Sequence, residues 1–509
     1  MMIPRTLRAT PLALALAAAA GTLAAPAHAI NLAPNGKGEV LLFPYYTVRN
    51  GFDTLVSITN ASDRTVLAAL RLREANNGRT AGELHLILSP HDMWTGGVTS
   101  NGGSGAYLRS FDASCTAPAL PAGPSGSKQL ALSASGYDGS GALPVDNGGT
   151  SLARVQEGFI ELIEMGISTV PESTIVSASP IEYASQHTAG VPRDCALVAG
   201  AFAEAANFAE SGSGAALAGS VFSSFEAPRN VLFGSATLIN VGSGHAYDAA
   251  PTVIQNFRSG TPIVYRPQAG QPSLANGDAG MSTTLFDRDG ALVTTLAIAN
   301  PVDAVSVVLM ADSLSNEYAS GGTATSGART DWVITFPTKH FYTDTGTNGS
   351  NGPLPPFSQA FPTTGQSCDR IDLIHADRKG RSAAVPETRP QFATPPSGPY
   401  FYHLCSSVNR LAMADPSSGT SQGVLGSEFA RSLPLLYSSG VLSVSFPLTG
   451  LQEFGGLNSQ IQTLRSALLG YTGLPAIGFS VIERNNSAEA GNNRNYGSGR
   501  PHAVDLIGP

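Results

Sequence analysis

Residues 54–88, TLVSITNASDRTVLAALRLREANNGRTAGELHLIL, decide the fold class. Val56 and Ile58 alternate with Leu55, Ser57 and Thr59. Val66, Ala68, Leu70 and Leu72 alternate with Leu67, Ala69, Arg71 and Arg73. Leu84, Leu86 and Leu88 alternate with Glu83, His85 and Ile87. Period-two alternation is a strand signal, because successive side chains leave opposite faces of a sheet. Asn60-Ala61-Ser62-Asp63 and Asn76-Asn77-Gly78 part the runs with turn residues. Short strands joined in this way predict an antiparallel β-sandwich.

The same reading extends outward. Upstream, 38–48 (GEVLLFPYYTV) is apolar with Pro44 inside, so it predicts an edge strand or a bulged one. Downstream, 157–165 and 231–240 read as strands, and alanine-rich 196–209 as a helix. Residues 266–280 have the Pro/Gln/Gly character of a linker. Beyond it, 292–299, 304–310, 332–336, 371–374, 400–404, 441–446 and 477–482 read as strands, with Trp332, Ile334 and Phe336 on one face. Residues 459–469 read as a helix with Ile461, Leu464, Leu468 and Leu469 on one side. The expectation is a mainly β protein of two Ig-like or jelly-roll-like sandwich domains with one or two short helices. The first spans 30–265 with a Gly/Ser/Pro-rich insertion at about 112–150. The second spans 281–509 with a long loop at about 343–399. Ile58-x-Asn60-x-x-Asp63 is echoed by Ile298-x-Asn300-x-x-Asp303, a hint of duplication.

Composition narrows the class of function. Of 509 residues 13% are charged, against about a quarter in ordinary globular chains, while Gly (56) and Pro (35) are abundant. That balance suits uncharged loops between strands. Residues 1–29 carry Arg5 and Arg8, an Ala/Leu run and Ala27-His28-Ala29, the layout of a secretory signal peptide. The expected mature chain starts at Ile30, exported through the inner membrane to the periplasm or cell surface. No later window predicts a transmembrane helix. A net charge of −8 without a Lys/Arg block argues against nucleic acid. Four cysteines in an exported chain predict disulfides with three possible connectivities, of which Cys115–Cys195 with Cys368–Cys405, one link in each half, is the expected one.

Three segments, GKGEVLLFPYYTVRNGFDTLVSITN (36–60), LSPHDMWTG (88–96) and TDWVITFPTKHFYTD (330–344), resemble signature stretches of a family of uncharacterised exported proteins of Gram-negative bacteria. The resemblance covers both halves. It implies an envelope or extracellular location. It carries no activity and transfers no site residues.

Chemistry-bearing motifs are sparse. Gly419-Thr420-Ser421-Gln422-Gly423 matches a nucleophile elbow, but a loop precedes it and only His502 follows as a base. His85, His91 and Asp92 lack a third metal ligand. Asp287-Arg288-Asp289-Gly290 reads as a turn rather than a calcium loop. Asp369, Asp372 and Asp377 read as a solvated polar loop. Glu161 and Glu164 could be paired carboxylates, but a spacing of three along one strand sets them on opposite faces. No catalytic residue, metal site or cofactor is expected. The candidate binding aromatics are Tyr45, Tyr46, Trp94 and Tyr342, whose rings could stack on sugars or plug the ends of a sandwich.

These observations predict a non-enzymatic exported protein with a structural or adhesive role at the cell envelope, its partners other envelope proteins or glycans. Binding would use end loops or strand addition at 38–48. The alternative is a secreted carbohydrate-binding protein or polysaccharide hydrolase. Oligomeric state is not encoded in any of these signals.

Overall fold

A computed structural model of the chain describes residues 29–209, 216–267, 270–286, 291–294, 297–322, 326–346, 352–384, 402–417, 419, 423–447, 473–486 and 496–505. Of the described residues 47% are strand and 13% helix, so the mainly β class holds. Among the described residues four main sheets carry the architecture.

The largest sheet runs in the order Leu292–Thr294, Ser282–Phe286, Ala29–Leu32, Thr252–Gln255, Val40–Thr47, Glu157–Pro171, Arg64–Glu74, Thr80–Leu88, Cys115–Ala117. Val40–Thr47 is therefore an inner strand, and the edge expected at 38–48 for strand addition is not there. Leu42 pairs with Glu161 on one side and Thr252 on the other. Pro44 sits between the pairs Phe43↔Ile160 and Tyr46↔Gly158, where the register shifts. A bulge thus absorbs the missing N–H. The strand is apolar throughout because both faces are covered. Leu41 and Phe43 pack with Val56, Ile58 and Leu238, whereas Val40 and Leu42 pack with Ile254 and Val305.

A second sheet, His245–Asp248, Leu232–Asn240, Asp53–Asn60, Met93–Ser100, Ala106–Ser110, Lys128–Ala131, covers one face of the first. Helices Pro180–Ser185 and Cys195–Ala203 cover part of the other, over Leu67, Ala69, Ile87 and Met165. The remaining two sheets run Ser382–Ala384, Asp369–Asp377, Ser439–Ser445, Ser313–Ala319, Ala503–Asp505 and Ala430–Pro434, Val408–Ala414, Ser326–Thr335, Ile477–Asn486, Tyr496–Pro501. Trp332, Ile334 and Phe336 do share a face, packed with Leu314, Leu442 and Val444.

Several expectations change. Residues 304–310 were expected to be a strand, but Pro301–Val308 is a helix. Asn300 caps it by accepting from Val302 N at 2.9 Å, Pro301 opens it and Asp303 lies in its first turn. These start signals outweigh the strand preference of its valines, which pack with Ile30 and Ile254 in the interior. Asn60 instead holds the turn by which the chain crosses from the second sheet to the first, donating to Arg64 O and Ser89 O, so the echoed motif does two different local jobs. Asp369–Asp377 is a full strand inside the expected 343–399 loop. The expected helix at 459–469 lies outside the described residues.

The interior also runs across the expected linker at 266–280. Leu274 there is buried. Just beyond it, Ser282–Phe286 pairs in parallel with Ala29–Leu32. One hydrophobic cluster joins Ile30, Val40 and Ile163 to Trp332 and Phe446.

Both disulfides form as expected. Cys115–Cys195 ties the last strand of the large sheet to a helix, and Cys368–Cys405 clamps the paired strands Asp369–Asp377 and Tyr402–Leu404. Peptide mapping without reductant should recover these two links, and any crossed pair contradicts the topology. Cys115→Ser with Cys195→Ser frees a link spanning 80 residues. In the chain-entropy model this lowers stability by about 4 kcal/mol, measurable by guanidinium unfolding.

Candidate functional site

The four candidate aromatics are interior, and the binding role expected of them is corrected accordingly. Tyr45 donates to Glu157 at 2.8 Å and Tyr46 to Val155 O at 3.3 Å. Trp94 lies opposite Ile58, and a Cβ at Gly96 would sit 2.3 Å from its ring. Tyr342 donates to Asp303 at 2.7 Å beside Ser306. Tyr45 and Tyr46 lie in a strand buried on both faces, Trp94 in Met93–Ser100 and Tyr342 in the Lys339–Thr343 helix, and polar neighbours satisfy the tyrosine hydroxyls.

Sheet register builds a buried row of charge. Arg71 lies directly opposite Glu83 on one neighbouring strand and Glu161 on the other. Its guanidinium reaches Glu161 at 2.8 Å and Glu83 at 3.1 Å, and it donates to Pro272 O. Arg73 adds a 3.2 Å contact to Glu161. Burial alone would raise Glu83, but Arg71 and His85 bring its carboxyl down to about 2. His340, buried against this row, lies well below the usual histidine range through burial and then the cations Arg73, Arg71 and Arg79.

The adjoining hairpin turn at 74–79 is buried as well. Glu74 accepts from the amides of Asn76, Asn77 and Arg79, and Gly78 takes the positive φ that closes the turn. Arg79 forms a two-pronged pair with Asp344, at 2.6 and 2.9 Å. Arg154 does the same with Asp146, at 2.8 Å twice. Asn77 donates to both aspartates. Ser407 N and Val408 N donate to the carbonyls of Asn76 and Ala75. The turn therefore joins distant parts of the chain.

Glu164 faces away from Glu161, as the spacing predicts. It lies beside Glu39, its amide donating to Glu39 O at 2.7 Å. Its carboxylate accepts from Arg229 N, and that of Glu39 from Arg258 N. Burial pushes Glu39 up to about 7 against the lowering by the amides of Arg258, Phe257 and Asn230, with Asp278 adding repulsion. Glu164 is held well above the carboxylate range by burial and then by Glu39.

The other motifs find separate partners. His85 lies 3.6 Å from Glu83 inside the sheet, whereas Asp92 approaches His187, 3.7 Å away and distant in sequence. Asp369 pairs with Lys339, Asp372 with Arg370 and Asp377 with Arg381, so the expected polar loop is a strand with three separate ion pairs. Among the described residues no group of three His, Cys, Asp or Glu is placed to hold a metal. His502 is buried 4.6 Å from the Trp332 ring, its imidazole pushed down to about 4 by burial. Most of the G-x-S-x-G run and all of 287–290 lie outside the described residues.

Among the described residues, a groove of about 760 Å³ faces solvent in the second half. Pairing places Gly321, Ala328, Arg484 and Tyr496 in one row across four strands. Asp415 and Ser438 stand over Gly321, and Arg484 and Tyr496 continue the row. Arg378, Asp415, Ser417, Ser438 and Ser439 also line the groove. Asp415 already accepts from Ser417 N and Oγ. Arg378 and Arg484 are exposed, and among the described residues they form no ion pair or hydrogen bond. The sequence reading missed this site. Its signal is the basic hairpin turn Asp377-Arg378-Lys379-Gly380-Arg381, prominent in a chain so poor in charge.

Comparison of the chain with protein-family models, curated proteins and solved structures gave no match. Among the described residues no helix is long and apolar enough to cross a membrane.

Removing one member of the Arg79–Asp344 pair strands a buried charge. Asp344→Ala is expected to cost about 3–5 kcal/mol in urea unfolding, and adding Arg79→Met to recover much of that loss. Because the Glu39 carboxyl is raised in the folded state, its stabilising contribution is full below its ordinary value of 4.5 and is lost as pH rises through about 7. Glu39→Gln should flatten this fall in stability between pH 5 and 8, read from thermal unfolding. An unchanged slope rejects the assignment.

Proposed function

We propose that this chain is an exported, non-enzymatic protein with a structural or adhesive role at the bacterial cell envelope. Its sheets are read as two face-to-face sandwiches that share an interior. The two disulfides suit an oxidising compartment. The resemblance of 36–60, 88–96 and 330–344 to exported Gram-negative proteins points the same way.

One observation carries the non-enzymatic part. Acids and bases such as Glu83, Glu161, Asp344 and Asp369 are engaged with internal partners. What the groove offers a ligand is two guanidiniums, serine hydroxyls and a tyrosine ring. A guanidinium keeps its proton at any pH a protein meets, so it holds an anion but does not relay protons. The outer sheet faces carry hydroxyl pairs, Ser57 with Ser235 and Ser315 with Ser443. Such surfaces suit contact.

A carbohydrate-binding role is the second reading, favoured by Tyr496 standing exposed beside Arg484. Hydrolysis would need two carboxylates flanking one bond. Among the described lining residues Asp415 is the single carboxylate.

Intact mass and cell fractionation test the proposal. The expected product starts at Ile30, lies outside the inner membrane with no free thiol, and adheres to cells or glycans without converting them. A cytoplasmic chain with free thiols overturns it. Turnover in a hydrolase screen that one carboxylate substitution abolishes does so too.

A further inference from the structure

We infer that the groove between Arg378 and Arg484 is a binding site for an anionic polysaccharide. This rests on the binding role proposed above and names its ligand class.

The first argument is electrostatic. The chain is acidic, and its other described arginines have polar partners. Arg378 and Arg484 depart from that pattern together, and they line the same groove. Lys379 stands next to Arg378 in the exposed turn. Asp415 is the one described anion of the lining and is already hydrogen-bonded by Ser417. The lining is thus locally positive on a negative molecule. A planar fork of N–H donors matches carboxylate and sulfate oxygens.

The second argument concerns shape. Gly322, Gly327 and Ala328 bring little side-chain bulk to the lining, while Asp415 and Ser438 stand over Gly321. Tyr496 is 60% exposed and lies across from Arg484 in the strand register. An exposed phenol ring beside a cation suits a sugar face that carries an acidic substituent. Ser417, Ser438 and Ser439 add hydroxyls for the remaining sugar oxygens. A volume of about 760 Å³ falls within the range of about 300–1,000 Å³ that ligand sites occupy.

The test uses the full mature chain and titration calorimetry. The probes are polygalacturonate, dextran sulfate, neutral dextran and inorganic phosphate. Either charged polymer should bind and weaken steeply with salt, and dextran should not bind. The two charged polymers separate carboxylate from sulfate recognition. Arg378→Gln with Arg484→Gln should lower affinity at least tenfold, and Tyr496→Ala should lower it without changing the salt dependence. Arg193→Gln, far from the groove, should leave it unchanged.

Binding that survives the double substitution overturns the inference, as does binding of phosphate alone or of neither charged polymer. Cell adhesion that persists in the double variant would reject the groove and leave the adhesive role standing. Polymer binding without adhesion would do the reverse.

Discussion

Burying a hairpin turn is the constraint on which the rest of this structure depends. Turns normally lie at the surface, where water satisfies their backbone groups. The 74–79 turn lies inside, so protein groups must take the place of water. Glu74 takes up three of its amides, while Ser407 and Val408 donate to its carbonyls. Arg79 is answered by Asp344, and Asn77 reaches Asp146 from the glycine-rich insertion. None of these segments can withdraw without leaving a polar group dry. A buried pair of this kind adds little net stability against an apolar replacement, but it penalises wrong arrangements heavily. Here it fixes how the two halves meet.

Local pattern made much of the fold legible, and long-range contact explains the remainder. The strands at 54–60, 65–73 and 83–88 were readable because one face of each alternates cleanly. That the four cysteines form disulfides was readable from their even count, whereas their connectivity, one of three possible, is set by which strands the fold brings together. The inner position of Val40–Thr47 was not, because a proline in a strand fits an edge and a bulge equally well. The helix at Pro301–Val308 was hidden by β-branched residues, whose strand preference its cap and its packing overrode. The insertion at 112–150 looked formless by composition, yet Tyr137 and Asp146 within it are fully buried. Glycine and serine say little about whether a loop is held. Its few large or charged residues say more.

Candidate sites were less legible than the fold. Tyr45, Tyr46, Trp94 and Tyr342 drew attention because aromatics serve both recognition and packing, and burial decides between them. The groove depends on the register of Gly321–Gly322, Ser326–Thr335, Ile477–Asn486 and Tyr496–Pro501, and on two separate turns. No single stretch of sequence contains it. What marked it was scarcity: in a chain with few charges, most of them matched internally, two unmatched cations at one place stand out.

The Ala29–Leu32 strand has a consequence for the order of assembly. It sits between Thr252–Gln255 and Ser282–Phe286, and bonds to both. A chain made from its amino end presents this strand early, yet its neighbours follow more than two hundred residues later. Until then its ladder groups stay open and Ile30 has no place to pack. Closing so long a loop is slow. The large sheet is therefore completed late, after the pairing of its central strands Glu157–Pro171, Arg64–Glu74 and Thr80–Leu88, which lie closer together in the chain.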